Sequence, residues 1–298
     1  MLFLVGPTAV GKSEVALYLA PLINAEIIVA DSMQVYRHLD IATAKPTPAE
    51  QKQIIHHCLD LVEPQDFFSA AQWLEKAQSA RQQIEQRGKR ALVVGGTGLY
   101  IRALRVGLDS NPPTLPQHQT QLAQFTLEEL IEKIRHLQPE ALTLIDIKNR
   151  RRVERAFTIL QQGGTLQRDS WQKTSTSPIY GLKRDSEDLK NRINQRVRTM
   201  FLQGLEKEYE TILKDKVPPN ATAWQALGYR QIAAWKQGER DKMDFATCQQ
   251  KIQQQTRQYA KRQMTWFKRE KDIQWISVSA EEPAEMTAQK IYKNFIAS

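Results

Sequence analysis

The chain has 298 residues, 41% of them hydrophobic, and its 42 Lys+Arg against 33 Asp+Glu give a formal net charge of +9. No apolar run approaches the roughly 18 residues that cross a bilayer, and the apolar start at Met1 carries neither a charged leader nor a cleavage pattern, so a soluble, cytoplasmic protein is expected. Cys58 and Cys248 stand far apart without Cys or His neighbours at ligand spacing, which argues against a disulfide framework and a zinc site.

The first predicted element is a short strand, Leu2 to Val5, and it runs into Gly6-Pro7-Thr8-Ala9-Val10-Gly11-Lys12-Ser13 ahead of a helical stretch from Glu14 to Leu22. Strand, G-x-x-x-x-G-K-[ST], then helix is the pattern of a phosphate-cradling loop. The glycines let backbone N–H groups turn inward, Lys12 adds a point charge and the helix adds its positive end, while Ser13 offers a hydroxyl to Mg2+. The pattern calls for a polyphosphate without saying which one. Glu26 to Ala30 reads as a second buried strand ending at Asp31-Ser32, an amphipathic helix is expected from Ala70 to Arg87, and Ala91 to Val94 reads as a third strand ending in Gly95-Gly96-Thr97-Gly98. Strand, helix, strand at this spacing predicts a parallel sheet with helices on both faces, and ligands bind beyond the carboxyl ends of such strands. Lys12, Asp31 and Thr97 are therefore expected around one crevice. Asp31 lies where small P-loop kinases meet the acceptor, so it reads either as a base for an attacking hydroxyl or amine or as the cap of a following helix.

Asp109 to Pro116 breaks regular structure, and helical stretches follow until Gly163 and the polar run Lys173 to Pro178. Residues 109–177 read as a small all-helical insertion within a core formed by 1–108 and 178–298, since single domains mostly run about 100 to 200 residues. Strand character returns at Ile179 to Leu182. Asp185 to Lys214 reads as one long helix, Pro218-Pro219 as a stop, and further helices are expected near 221–237 and 243–271 before a last strand at Ile273 to Val278.

Charge is distributed unevenly along this plan. Residues 1–147 hold 13 Lys+Arg and 16 Asp+Glu, or −3, whereas residues 148–298 hold 29 and 17, or +12. A field confined to one half is the footprint of a polyanionic partner, most simply a nucleic acid. Two clusters carry it: Arg150, Arg151, Arg152 and Arg155 beside the insertion, and Arg257, Lys261, Lys268 and Lys271, which share part of a helix circumference away from the stripe Ile252, Tyr259, Trp266. His38, His56, His57, His118 and His136 form no ligand pattern.

The blocks Gly6 to Ser13, Asp31-Ser32-Met33-Gln34-Val35-Tyr36, Thr43-Ala44-Lys45-Pro46, Gly95 to Tyr100 and Thr256 to Gln263 together resemble the tRNA dimethylallyltransferases, also called tRNA isopentenyltransferases. His56-His57, Arg192-Ile193 and Trp224 to Gln231 fit the same order, so the resemblance covers nearly the whole chain. It implies a P-loop-like α/β fold and transfer of a dimethylallyl group from dimethylallyl diphosphate to the exocyclic N6 amine of the adenosine 3′-adjacent to the anticodon. By that resemblance the loop 6–13 holds the diphosphate with Mg2+ at Ser13, Lys12 neutralises charge on the leaving group, Asp31 accepts the amine proton, and Thr97 bonds near the diphosphate or the flipped base. It also implies that the anticodon stem-loop is held by Asp31, Ser32, Met33, Gln34, Thr97, Arg151, Arg152, Val153, Glu154, Arg155, Gln225, Gly228, Tyr229, Arg230, Arg257, Lys261 and Arg262. Arg192 or Arg196 is the candidate for reaching the diphosphate, and a monomer is expected. One departure stands out: many relatives carry a basic residue in the insertion segment, yet Asp109 to Thr126 holds no Arg or Lys. The rival readings are a P-loop nucleotide or small-metabolite kinase, which needs no basic half, and a nucleic-acid-stimulated ATPase, which needs an Asp-Glu pair after a later strand that this chain lacks.

Overall fold

The computed structural model describes residues 1–108, 121–122, 124–166, 175–236 and 244–297. Two compact units divide the chain, one comprising Met1–Val106 with Thr174–Ser298 and the other Gly107–Lys173.

The larger unit is built on a six-stranded, all-parallel sheet. Its strands are β1 (Leu2–Val5), β2 (Ala25–Ala30), β3 (His56–His57), β4 (Arg90–Gly95), β5 (Ile179–Lys183) and β6 (Gln274–Ser277), in the order β3-β2-β4-β1-β5-β6. The short apolar runs at 2–5, 26–30, 91–94 and 179–182 are central strands, buried on both faces as parallel sheets demand. Side chains alternate between two cores. Phe3, Val5, Ile28, Ala30 and Val93 face one, which includes Trp73 and Ala77 of α3 (Ala70–Gln86) and Ile101 of α4 (Gly98–Val106). Leu2, Leu4, Ile27, Val29 and Leu92 face the other, with Val15 and Leu19 of α1 (Lys12–Leu22) and Ile291 of the last helix.

The register sets the site. Val5 and Ala30 both pair with Gly95, so Gly6, Asp31 and Gly96 leave the sheet at the same carboxyl edge. Two further elements escape the apolar pattern because they are short and polar: α2 (Pro48–Gln53), started by a Thr47–Glu50 capping box, and the two-residue strand β3.

The expected single helix over 185–214 is two helices, α8 (Ser186–Gln203) and α9 (Leu205–Lys214), because Gly204 sits at φ +101 and ends one helix while starting the next. The stretch near 221–237 is likewise divided into a 3-10 turn (Thr222–Gln225) and α10 (Tyr229–Lys236), with Gly228 at φ +103 between them. The next helix, α11, runs Phe245–Phe267, so Lys268 caps its end and Lys271 lies beyond it. The last helix, α12, spans Ala284–Ile296.

In the smaller unit, the helices Leu127–Leu137, Ala141–Leu144 and Arg150–Gln161 are α5, α6 and α7 in chain order. They pack Leu130, Ile134, Ala141, Val153, Ala156 and Phe157 into a core of their own. Residues 109–120, where a basic residue is lacking in the sequence, and the start of the polar run at 173–174 lie outside the described residues, as does 243, the expected start of α11.

Candidate active site

Gly11 caps α1 at φ +104, so Lys12 and Ser13 occupy the first turn and the loop Gly6–Gly11 wraps in front of it. Lys12 Nζ donates to the Pro7 carbonyl at 2.7 Å, closing the loop on itself. Three guanidinium groups from distant sequence hold the loop from outside. Arg184 Nε donates to the Val10 carbonyl at 2.9 Å, Arg192 Nε to the Ala9 carbonyl at 2.9 Å, and Arg196 to Thr8 Oγ1 at 3.2 Å. Two loop carbonyls are satisfied in this way, and the Thr8 N–H donates to Gln263.

The loop forms one wall of a cavity of about 920 Å³ that Asp31, Gln34, Thr43, Arg192 and Arg196 also line. Burial, then the nearby Arg196 charge, bring the Lys12 ammonium down from 10.5 to about 7, with Asp31 working in the opposite direction.

Asp31 follows β2 and turns back on itself: one carboxylate oxygen accepts from the N–H of Met33 at 2.9 Å and of Gln34 at 3.4 Å. No helix follows Asp31, so of the two sequence readings the helix cap is replaced by a tight Asx turn that orients the carboxylate. Thr97 Oγ1 accepts from the N–H of Ser32 at 3.0 Å, which ties the ends of β2 and β4 together.

Two residues of α11 complete this centre, and the sequence reading assigned neither to it. Gln263 accepts from the Thr8 N–H at 2.7 Å and donates to the Gly96 carbonyl at 3.0 Å, bridging the phosphate loop to the β4 turn. A Cβ on Gly96 would overlap Gln263, and one on Gly98 would overlap Trp266, so this turn is glycine-rich because α11 lies directly on it. Burial and then the Asp31 charge push the Tyr259 phenol well above its usual range, with the Thr97 and Gln263 side chains working in the opposite direction. Tyr259 thus stays protonated. The only sequence signal for either was the block Thr256 to Gln263; heptad spacing placed Tyr259 in a packing stripe, and indeed it is only partly exposed.

The other candidate contacts sort by exposure. Arg151, Arg152, Arg230, Lys261 and Arg262 are exposed, Gln225, Glu154 and Arg155 partly so. Val153 is a core residue of the smaller unit and presents no side chain to a ligand. Tyr229 is fully buried with its hydroxyl donating to Glu208 at 2.9 Å, and Gly228 is a buried turn; these correct their reading as surface contacts. Gln34 is also buried and donates to the Thr43 carbonyl at 3.0 Å. Arg257 donates to Asn194 Oδ1 at 2.8 Å, whereas Lys261, Lys268 and Lys271 of that ridge are exposed, as is Arg262 beside them. A second cavity of about 380 Å³ is lined by Trp224, Gln225, Tyr229 and Arg230.

A phosphate loop after the first strand, an acceptor-side carboxylate after the second and a basic surface define a P-loop-like group-transfer protein. The chain belongs to the IPP transferase family, whose model matches residues 34–270. The phosphate loop and Asp31 precede the matched stretch. The chain is 38% identical over 277 residues to tRNA dimethylallyltransferase 1 of Citrifermentans bemidjiense, covering 91% of this chain and 90% of that protein. Against the tRNA dimethylallyltransferase of Bacillus subtilis it is 34% identical, with 98% and 95% covered. The crystal structure of the full-length tRNA isopentenylpyrophosphate transferase of Bacillus halodurans superposes with a TM-score of 0.73 at 31% identity, over 99% of this chain and 95% of that one.

Proposed function

We propose that this protein transfers a dimethylallyl group from dimethylallyl diphosphate to the N6 amine of the adenosine 3′ of the anticodon in tRNA, releasing diphosphate. Membership of the family and its coverage make it a tRNA dimethylallyltransferase, a prenyltransferase acting on tRNA, and do not favour a kinase. The donor, the acceptor atom and the residue roles are our reading. The observation that supports it is the shared carboxyl edge of the sheet, where Lys12 and Asp31 line one cavity and Thr97 holds the Ser32 N–H next to Asp31.

In this reading the loop N–H groups and Lys12, backed by Arg196, take the diphosphate, and stabilising its developing charge assists cleavage of the allylic C–O bond. The amine nitrogen forms the new bond to that carbon as the oxygen leaves with the electron pair. Its proton passes to the Asp31 carboxylate. Tyr259, whose phenol is kept protonated by burial and by the Asp31 charge, lies beside this edge. The adenine must leave its stack to reach this depth, and Arg151, Arg152, Lys261 and Arg262 are the exposed cations that hold the RNA backbone.

The donor set suits Mg2+: Ser13 offers a hard oxygen to this cavity, and such ions are bound by one or two protein oxygens together with substrate phosphates. When bound, the ion adds charge neutralisation at the leaving group, with Ser13 holding it. No described helix is long and apolar enough to cross a membrane; that the protein is a cytoplasmic monomer is part of our proposal.

The test is incubation with unmodified tRNA, Mg2+ and labelled dimethylallyl diphosphate, repeated with labelled ATP. Label on the RNA supports this reading; phosphate transferred to a small molecule, or released, supports a kinase or an ATPase.

A further inference from the structure

Glu208 lies on α9, 166 to 168 residues in sequence from the three backbone groups it serves. One carboxylate oxygen accepts from the N–H of Asp40 at 2.8 Å and of Ile41 at 2.6 Å. The other accepts from the N–H of Ala42 at 3.0 Å and from the Tyr229 hydroxyl at 2.9 Å. Three consecutive amides turned to one point make an anion nest, and here the protein fills it with its own carboxylate. The four donors use about all the lone-pair directions a carboxylate offers.

The segment so fixed runs straight into the cavity wall. Asp40, Ile41, Thr43 and Ala44 all line it, and Ala44 stands at φ +47, a conformation that persists only where the surroundings impose it. The Thr43 carbonyl accepts from Arg196 at 3.4 Å, and the other terminal nitrogen of that guanidinium donates to Thr8 Oγ1 in the phosphate loop. An unbroken series of contacts therefore leads from Glu208 through backbone 40–43 to Arg196 and the loop.

We propose that Glu208 is a positioning residue for the anion-binding end of the cavity: by pinning the amides of 40–42 it sets the Thr43 carbonyl that aims Arg196 at the phosphate loop. This rests on the reading of that cavity as the diphosphate site. Glutamine has the same shape as glutamate but turns an NH2 toward backbone N–H donors in either amide orientation, so Glu208→Gln loosens the clamp without changing volume. Calorimetric titration of the full chain with inorganic diphosphate and Mg2+ should then give a Kd raised about tenfold, within the usual range for coupling between sites. The KM for dimethylallyl diphosphate should rise with it while tRNA affinity stays unchanged, a division that general loss of structure would not produce. An unchanged diphosphate Kd in folded Glu208→Gln overturns the assignment.

Wild-type protein gives a second reading that needs no variant to fold. Coupling is reciprocal, so saturating diphosphate should slow hydrogen exchange of amides 40–42 by about fivefold or more, and unaltered exchange in the presence of bound diphosphate also overturns it. If the wild type binds no diphosphate, the donor reading falls and this inference with it; if the wild type binds and Glu208→Gln binds equally, only the role of Glu208 falls.

Discussion

The carboxyl edge of the sheet and the smaller helical unit both use arginines to hold backbone carbonyls, yet to opposite ends. At the sheet edge Arg192 and Arg196 come from α8 to bond the phosphate loop, and the positive charge they bring stays beside a cavity, while Arg184, just after β5, bonds the Val10 carbonyl and pairs with Asp188. In the smaller unit Arg150 donates to the carbonyls of Leu122 and Phe125 at 3.0 and 2.7 Å and pairs with Glu154 at 2.7 Å, so its charge is spent inside its own fold. Only its neighbours Arg151 and Arg152 face solvent. A run of like charges in a sequence is thus not yet a binding surface; the partners decide which members are available.

The sharpest way to break this comparison is at the sheet edge itself. Replacing Asp31 with Ala removes the proposed proton acceptor and should lower kcat by about 10²- to 10⁴-fold, with tRNA affinity measured by filter binding little changed. A near-normal single-turnover rate would remove Asp31 from proton transfer.

Next comes pH. Because burial and the Arg196 charge hold Lys12 at about 7, the free protein carries a mixed population of charged and neutral Lys12 near neutrality. An anion favours the charged form, so its binding takes up a proton, and diphosphate affinity should fall by up to about tenfold per pH unit as pH rises above 7. The conformational stability of the free protein changes in the reverse sense. Between about 7 and 10.5 the unfolded chain keeps a proton on Lys12 that the folded chain has lost, so this group adds stability as pH rises through that window. Lys12→Arg, whose guanidinium does not titrate there, serves as the reference that cancels ionisation of the ligand. Identical pH profiles for the two would refute the role of Lys12 as the titrating cation.

How much of this was legible depends on sequence distance. The β-branched and apolar runs gave the central strands, since a parallel strand buried on both faces must be apolar throughout. The loop 6–13 and the carboxylate after β2 were legible because each is contiguous. Tyr259 and Gln263 were not, because their role comes from α11 crossing the β4 turn, and Gln263 meets Thr8 across 255 residues. Gly204 and Gly228 divided predicted helices because periodicity continues through a glycine that the backbone has turned left-handed. Val153 and Tyr229 failed as surface contacts for the same reason that they pack well: both are apolar enough to be worth burying.

Within the smaller unit the comparison is sharpened by a pair of variants. Replacing Arg151 and Arg152 together with Ala removes two exposed cations, so tRNA affinity should drop and the slope of log affinity against log salt should flatten by about 1 to 2, with no change in stability. An unaltered salt slope would take these two residues out of the RNA-binding surface.

Arg150→Ala should do the reverse. Its loss leaves two carbonyls and Glu154 without their donor, but the side chain is partly exposed, so water recovers part of what is lost. The expected cost is roughly 1 to 2 kcal/mol to the smaller unit alone. It is read as faster hydrogen exchange in α5 and α7 of the full chain, while the amides of β1 and β4 keep their protection. The salt dependence of tRNA binding should be untouched, because a guanidinium already held by two carbonyls and a carboxylate releases few counterions when RNA arrives. If Arg150→Ala instead flattens the salt slope as much as the Arg151/Arg152 pair does, then bonds to the fold do not withdraw a charge from the surface, and the division between structural and available arginines fails at the place where it is most clearly drawn.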